Sequence, residues 1–279
     1  MKKRGFDGAT LAIMYKGKFV AQRGYGWSDK DLKNPMMPNT KMRIASLSKI
    51  FTTVGIQKLI EKNKISLLTK ALEFLNEFKN IKDKDANNIT IQNLLDHTAG
   101  WDLSVSYDPL FFTRIISKEI KKDYRDITPN DIINYFLSNS TLQFKPGTQV
   151  AYSNFGFLLL GRIIEKAANK KYINFIKDEV CKPLNVNIEL AANTIKNESR
   201  LSQVYYKING PIEPGTFILE ASDSAFGLAS SAIDLCRFLK YYWIDGDKRK
   251  KNQSRQYVQT GSLPGVTVLA RQRYSGATI

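Results

Sequence analysis

The chain contains very little histidine and cysteine. Its 279 residues include one histidine, His97, and two cysteines, Cys181 and Cys236. A single histidine offers little to a histidine-based metal site or a Ser-His-Asp triad, so any serine chemistry would need lysine or tyrosine as its base. Two cysteines do not make a disulfide framework. We expect two buried or half-buried thiols, and the alternative is a single disulfide bridge between them.

The sequence also lacks long apolar runs, internal repeats and low-complexity linkers. No stretch has the roughly 20 apolar residues that span a bilayer. Met1-Lys-Lys-Arg4 is typical of the charged region of a signal peptide, but Gly5-Phe-Asp-Gly8 follows where an apolar segment is required. The localisation is therefore unknown: either the protein stays inside the cell, or a leader lies outside this sequence.

Positive charge is in excess, with a formal net charge of +16. The densest run is Lys248-Arg-Lys-Lys251, and the other lysines are scattered. Such a chain attracts polyanions, but no zinc-knuckle, RNP or helix-turn-helix pattern accompanies the charges. We therefore interpret the lysines as solvated surface residues and do not expect nucleic acid as a partner.

The most informative stretch is Arg43-Ile-Ala-Ser-Leu-Ser-Lys-Ile50, which precedes a helical pattern. Ser46 and Lys49 are three residues apart, so on a helix the lysine amine can approach the serine hydroxyl. A helix N-terminus adds unpaired N–H groups that suit a developing oxyanion. This arrangement predicts a nucleophilic serine with a lysine base. The alternative is a capping serine beside a solvated lysine, because S-x-x-K also occurs by chance.

The remaining pattern places strands at both ends of the chain and helices in the middle. Strands are predicted for Ala9–Tyr15, Phe19–Tyr25, Leu201–Ile208, Val266–Arg271 and the tail from Gly276. Helices are predicted for Ser46–Asn63, Leu67–Phe78, Thr90–Gly100, the segment after Thr128-Pro129, Phe155–Ala168, Tyr172–Cys181 and Ser231–Tyr242. Ser231 with Asp234 forms a predicted capping pair. We interpret His97 as bracing a turn.

This order predicts an α+β fold, in which an antiparallel sheet flanked by helices carries an inserted all-helical lobe. The predicted division is discontinuous. Residues 1–66 and 200–279 form the sheet layer, and residues 67–199 form the helical lobe.

Three short segments stand out in order along the chain: Ser46-Leu-Ser-Lys49, Tyr152-Ser-Asn154 and Gln259-Thr-Gly261. Together they resemble the motifs of the serine β-lactamase and penicillin-binding-protein superfamily. The likeness is to the class C β-lactamase-related branch, which includes D,D-peptidases, D-aminopeptidases and esterases. The segments Leu94–Gly100 and Phe144–Gly147 fit the same branch.

The resemblance implies a β-lactamase/transpeptidase-like fold and specific roles. Ser46 would form the acyl-enzyme, and Lys49 with Tyr152 would share the base role. Asn154 would bind the substrate amide and Lys49. The backbone N–H groups of Ser46 and Ser262 would form the oxyanion hole. Gln259, Thr260 and Gly261 would line the substrate-binding strand, and no metal or organic cofactor would be needed.

Two departures from the family pattern affect the predicted function. The third motif usually begins with lysine or histidine, but here the residue is Gln259, which brings no charge to a substrate carboxylate. Family members also continue past the position of Ile279 with more strands and a helix. The resemblance therefore implies a chain truncated at its C-terminus, as a truncated gene product, a fragment or an unusual minimal version.

The sequence therefore predicts a serine hydrolase for a small-molecule or peptide substrate: a β-lactam, a peptidoglycan or other D-amino-acid peptide, or an ester. The alternative is a catalytically impaired, penicillin-binding-like protein that binds a cell-wall peptide without turnover. Family members are often periplasmic or extracellular.

Overall fold

The structure is a computed structural model that describes residues 7–29, 33–191, 218–245, 256–263, 265–273 and 277–279. The strands in these ranges are β1 (Gly8–Tyr15), β2 (Lys18–Asp29), β3 (Asn34–Pro35), β4 (Met42–Arg43), β5 (Ile188–Leu190), β6 (Leu228–Ser230), β7 (Gln256–Leu263), β8 (Val266–Arg273) and β9 (Ala277–Thr278). The α-helices are α1 (Ser48–Glu61), α2 (Ala71–Phe74), α3 (Ile91–Leu95), α4 (Leu103–Ser106), α5 (Thr113–Glu119), α6 (Pro129–Asn139), α7 (Asn154–Ala168), α8 (Tyr172–Phe175) and α9 (Ala232–Leu239). The predicted strand Leu201–Ile208 lies outside the described residues.

The chain divides into two compact units. The sheet unit comprises Met1–Leu47, Lys177–Ile212 and Leu228–Ile279, and the helical unit comprises Ser48–Ile176 and Glu213–Gly227. This division places α1 with the helical unit, whereas the sequence assigned residues 1–66 to the sheet layer. Compactness does not test independent folding, so the domain division remains a prediction.

In the sheet unit, the described strands form two antiparallel sheets. One has the order β3-β2-β1-β9-β8-β7 and the other the order β4-β6-β5. The predicted hairpin of β1 and β2 is confirmed, and its turn residues Lys16 and Gly17 have φ of 47° and 79°, as two-residue hairpin turns require. Helix α9 covers β1, where Cys236 packs against Ala12 and Met14. The antiparallel sheet with flanking helices agrees with the predicted fold class.

Both cysteines are free and buried. Burial raises the pKa of each thiol to about 12. The expectation of two buried thiols is confirmed, and the two residues do not form the bridge that the sequence left open.

The helical unit is built around α7, whose residues from Asn154 to Ile164 are all buried. Helix α1 packs closely against it at Gly55, where a Cβ atom would lie 2.9 Å from Ile164 Cδ1. The predicted start of α6 is confirmed, because Thr128 and Asp131 form a capping box with Pro129 in the first turn.

The predicted helices Leu67–Phe78 and Thr90–Gly100 are shorter than expected. The backbone N–H groups of Ile91 and Gln92 donate to the carbonyls of Thr69 and Leu67, and the residues before Ala71 form a turn and a bend instead of a helix. Helix α3, capped by Thr90 as predicted, ends at Leu95 because His97 adopts a φ of 58°. The segment Tyr172–Cys181 is helical as predicted, first as α8 and then as a π-helix. In the ranges that the structure describes, none of the helices has the span and apolar character of a membrane-crossing segment.

Candidate active site

Ser46 lies at a sharp change of chain direction in the sheet unit. Strand β4 ends at Arg43, Ala45 adopts a φ of 47°, and a 3₁₀-helix runs from Ala45 to Leu47. A positive φ is unfavourable for alanine, so the surrounding packing must hold it. Between Arg43 and Lys49, Ser46 is the residue that is not fully buried. The local fold therefore presents this serine while its neighbours anchor the turn.

Strand β7 passes directly against this turn at Gly261. A Cβ atom there would lie 2.7 Å from the carbonyl oxygen of Ile44 and 3.0 Å from the backbone nitrogen of Ser46. Only glycine allows the two backbones to approach so closely. The backbone nitrogen of Ser46 is thus next to the strand that carries Ser262, as a two-donor oxyanion hole requires.

The other predicted residues on β7 are more accessible. Thr260 and Ser262 are exposed, and Gln259 is half-buried. The Gln259 side-chain nitrogen donates to the carbonyl of Thr260 at 3.4 Å, a long hydrogen bond. Gln259 is therefore placed on the glycine-bearing strand, as predicted, with an uncharged side chain at an accessible position.

Lys49 follows in the first turn of α1 and is buried in the helical unit. Its Nζ donates to Asn154 Oδ1 at 2.6 Å and to the carbonyl oxygen of Ala225 at 2.8 Å. Burial lowers the pKa of Lys49 to about 7, although the negative charge of Asp108 partly opposes this shift. A large fraction of the amine is therefore neutral near pH 7 and able to accept a proton.

Tyr152 and Asn154 lie at the N-terminus of α7, where Ser153 caps the helix through Gly156 N. The ring centroid of Tyr152 is 4.8 Å from Lys49 Nζ, and the side chain is 47% exposed. Asn154 is buried and also donates through Nδ2 to Asp108 Oδ2 at 2.5 Å. The structure thus brings together Lys49 and Tyr152, which are predicted to share the role of general base, with Asn154, which is predicted to bind the substrate amide.

His97 has the bracing position that the sequence indicated. Its Nδ1 accepts a hydrogen bond from the backbone nitrogen of Ser153 at 3.1 Å, and its ring lies 4.7 Å from that of Tyr152. Burial, followed by the nearby charge of Lys49, lowers the pKa of His97 to about 4. The imidazole is therefore neutral at ordinary pH and supports the backbone before α7.

The carbonyl of Ala225 is fixed by a buried network. Arg162 on α7 donates to Asp223 at 2.6 Å, and Thr52 on α1 donates to the carbonyl of Ser224 at 2.6 Å. At Gly161 a Cβ atom would lie 2.2 Å from Ser224 Oγ. The close approach of α7 to Ser224 therefore requires Gly161, whereas at Gly156 a Cβ atom would make only ordinary contacts from 3.6 Å.

Sequence reasoning missed two groups that contact the predicted residues. One is the carbonyl of Ala225, for which a backbone position gives no sequence signal. The other is Asp108, whose Oδ1 accepts from the backbone nitrogen of Leu110 at 3.1 Å at the start of a 3₁₀-helix, Pro109–Phe111. The pair Asp108-Pro109 is a recognisable helix start, but capping alone does not reveal a contact with Asn154.

The arrangement in each unit suits proton transfer to and from a nucleophile. The helical unit holds an amine with a lowered pKa beside a tyrosine and an amide. The sheet unit holds a serine whose backbone nitrogen lies beside a glycine-bearing strand. Among the described residues, we find no group of three His, Cys, Asp or Glu side chains arranged for a metal ion.

Comparison with known proteins extends over the whole chain. A family model described as Beta-lactamase matches residues 1–274. Protein flp of Staphylococcus aureus (strain N315) is 28% identical over 268 residues, which cover 95% of this chain and 51% of the relative. The chain therefore spans about half the length of the curated relatives it matches.

Solved structures share the fold. The octameric penicillin-binding protein homologue from Pyrococcus abyssi has a TM-score of 0.76 and 23% identity, over 100% of this chain and 69% of the homologue. The D-amino acid amidase of Ochrobactrum anthropi SV3, complexed with L-phenylalanine amide, has a TM-score of 0.76 and 21% identity, over 99% and 86%. At these identities the likeness shows the fold alone. The family model, with the fold in agreement, establishes that the chain belongs to the Beta-lactamase family.

Proposed function

We propose that this chain hydrolyses a β-lactam, a D-amino-acid peptide or amide, or an ester through an acyl-enzyme at Ser46. The observation that carries the proposal is the state of Lys49. Its amine is buried, its pKa is lowered to about 7 by that burial, and it lies three residues after an accessible serine. A neutral amine at this position is the base that a serine nucleophile needs.

The proposed reaction has two halves. Ser46 Oγ attacks the substrate carbonyl carbon while its proton passes to Lys49 Nζ, and the oxyanion accepts from the backbone N–H groups of Ser46 and Ser262. The carbonyl–leaving group bond then breaks as the leaving group receives a proton through Tyr152. In the second half, a water molecule gives a proton to Lys49 and its oxygen bonds to the acyl carbon. The bond between that carbon and Ser46 Oγ then breaks, the acid is released, and Oγ takes the proton from Lys49. Each oxyanion donor contributes about 3–4 kcal/mol in enzymes where it has been removed.

The names of similar proteins support the substrate class without fixing the substrate. One neighbour is a D-amino acid amidase and another a penicillin-binding protein homologue. Attack on an amide, a lactam or an ester carbonyl produces the same type of tetrahedral intermediate, so one catalytic arrangement suits all three substrate classes. The segments that line the pocket decide between them.

The proposal is tested by covalent labelling of folded protein. A fluorescent penicillin and p-nitrophenyl butyrate are incubated with the chain, and intact mass is followed with time. We expect an adduct or a product burst with at least one probe, and its loss in Ser46→Ala. Ser138→Ala, at an exposed position on α6, serves as the matched control and should label normally. Folded protein that gives neither adduct nor burst contradicts the proposal.

Gln259 favours a second candidate, a penicillin-binding-like protein that binds a cell-wall peptide without turnover. An amide in place of a cation weakens recognition of a substrate carboxylate, because charge-assisted hydrogen bonds are roughly twice as strong as neutral ones. This candidate predicts that a D-Ala-D-Ala peptide raises the melting temperature while no covalent adduct forms. Labelling of Ser46 with turnover would exclude it.

A further inference from the structure

We propose that Asp108 is a positioning residue for Lys49, acting through the side-chain amide of Asn154. The inference rests on the proposed function of Lys49 as a base. It assigns a role to a residue that belongs to none of the three motifs.

The carboxylate of Asp108 is engaged through both oxygens. Oδ1 accepts from the backbone nitrogen of Leu110 at 3.1 Å, and Oδ2 accepts from Asn154 Nδ2 at 2.5 Å. The first bond belongs to the cap of the 3₁₀-helix Pro109–Phe111. The second points at the predicted site and has no part in capping. Asp108 therefore does more than begin a helix.

The loop that carries Asp108 is held against the segment that carries the second partner of Lys49. Phe111 stacks on Phe226, with ring centroids 5.1 Å apart and an interplanar angle of 12°. Phe226 directly follows Ala225, whose carbonyl accepts from Lys49 Nζ at 2.8 Å. The carboxylate and the carbonyl are thus positioned by the same packing.

The amide of Asn154 has one favourable orientation between its two neighbours. A carboxylate accepts and does not donate, so it requires the NH₂ group, and the carbonyl oxygen must then face Lys49. That is the orientation in the structure, where Asn154 Oδ1 accepts from Lys49 Nζ at 2.6 Å. Rotation by 180° would place Oδ1 against Oδ2 of Asp108, with lone pairs facing each other.

This orientation matters once Lys49 is neutral. A neutral amine has two N–H bonds and one lone pair. When the acceptors Asn154 Oδ1 and Ala225 O hold the two N–H bonds, the lone pair is directed to a third position, at which a proton can arrive. A rotated Asn154 would instead donate into the lone pair and block the base. By preventing that rotation, Asp108 keeps Lys49 in its proton-accepting arrangement.

The matching experiment uses Asp108→Asn, which keeps both the side-chain shape and a good capping group. An asparagine accepts or donates toward Asn154, so both orientations of Asn154 become available. We expect the acylation rate above pH 7 to fall about tenfold or more, with the smallest loss at acidic pH, where protonated Lys49 itself requires Asn154 Oδ1. The titratable side chains around Lys49 include Asp108, whose pKa is raised by burial, His97 and Tyr152, and Asp96 acts in turn on His97. His97→Gln is therefore measured in parallel to assign the pH profile.

The controls separate positioning from stability. Asp102→Asn changes a similar capping aspartate in the same loop region, which bonds Ser104, and should retain the normal profile. Asp108→Glu retains the charge and should recover part of the rate. An unchanged profile in Asp108→Asn, or an equal loss at every pH together with a lower melting temperature, would overturn the inference.

A second readout does not depend on activity. The side-chain amide signals of Asn154, assigned in NMR spectra by their absence in Asn154→Ala, report its hydrogen bond to the carboxylate. In Asp108→Asn the proton signal bonded to Asp108 should move upfield. If no probe labels the wild-type chain, the proposed function fails. The change in the Asn154 chemical shift still shows whether Asp108 orients the side-chain amide. Unchanged Asn154 signals would overturn the inference.

Discussion

The helical unit and the sheet unit hold their predicted site residues in opposite ways. Lys49 in the helical unit is 5% exposed, and its amine has two short hydrogen bonds. Gln259 in the sheet unit is half-buried, and its side-chain nitrogen forms a long hydrogen bond of 3.4 Å with the carbonyl of Thr260. Burial is what lowers the pKa of Lys49, whereas a residue that contacts substrate must stay accessible. A substitution is therefore better tolerated at the accessible strand, where the family's cation is replaced.

The largest effect is expected when the buried amine is removed. We expect Lys49→Met to lower the acylation rate by about 10³-fold or more, because general base catalysis contributes about 10²–10⁴-fold and the two acceptors of Lys49 lose their donor. The rate is measured by intact mass with the fluorescent penicillin.

Lys58→Met is the control for that variant. Lys58 lies on the same helix, and its amine forms a long surface ion pair with Glu61 at 3.5 Å, so its loss should change the rate little. A fall of less than tenfold in Lys49→Met would contradict the assignment of the base.

The next largest effect is expected at Tyr152. Tyr152→Phe keeps the ring beside His97 and Lys49 and removes only the hydroxyl. We expect a loss of about 10²–10³-fold in turnover of a substrate with a poor leaving group, because proton transfer to that group is impaired. The activated ester p-nitrophenyl butyrate needs less help and should lose less. Equal losses with both substrates would argue against proton transfer to the leaving group.

The dependence of the acylation rate on pH tests the lowered pKa of Lys49 without a mutation. The folded pKa of Lys49 is lowered from 10.5 to about 7, and the base acts in its deprotonated form. The acylation rate should therefore fall about tenfold per pH unit below 7, about 10²-fold between pH 7 and pH 5, and level off above 7. A rate that keeps rising toward pH 10 would show that Lys49 retains an ordinary pKa.

Much of the fold was predictable from sequence, because it depends on local signals, and the roles of Ser46 and Lys49 stay predictions. Proline with a capping threonine fixed the start of α6, and the spacing of Ser46 and Lys49 pointed to a shared helical turn. Long-range partners have no such signal. The contact of Asp108 with Asn154 joins residues 46 positions apart, and the contact of Lys49 with Ala225 joins residues 176 apart. Two helices are also shorter than predicted, because backbone groups form hydrogen bonds with residues far along the chain, as Ile91 N does with the carbonyl of Thr69.

Gly261→Ala probes the sheet unit through its backbone. The added Cβ would lie 2.7 Å from Ile44 O, so β7 must shift away from the turn that presents Ser46. Displacements of about 1 Å in a site cost about 10²-fold. We expect acylation to fall by one to two orders of magnitude.

Gly156→Ala is the control for an added methyl group at a glycine. A Cβ there makes ordinary contacts from 3.6 Å, so the rate should be retained. Normal acylation in Gly261→Ala would show that the close approach of β7 is not needed.

Gln259→Lys places a positive charge on the accessible strand β7. A cation there would bond a substrate carboxylate more strongly than the amide does, and about 1.4 kcal/mol corresponds to a tenfold gain. We expect the acylation rate with penicillin, which carries a carboxylate, to rise about tenfold, and the rate with the neutral ester to stay unchanged. Val258→Lys adds the same charge on the opposite face of β7 and should produce no such gain. A rise with both substrates, or in both variants, would indicate a general effect of charge. A rise confined to Gln259→Lys and penicillin would mean that the buried machinery is competent and that recognition at the exposed strand limits it.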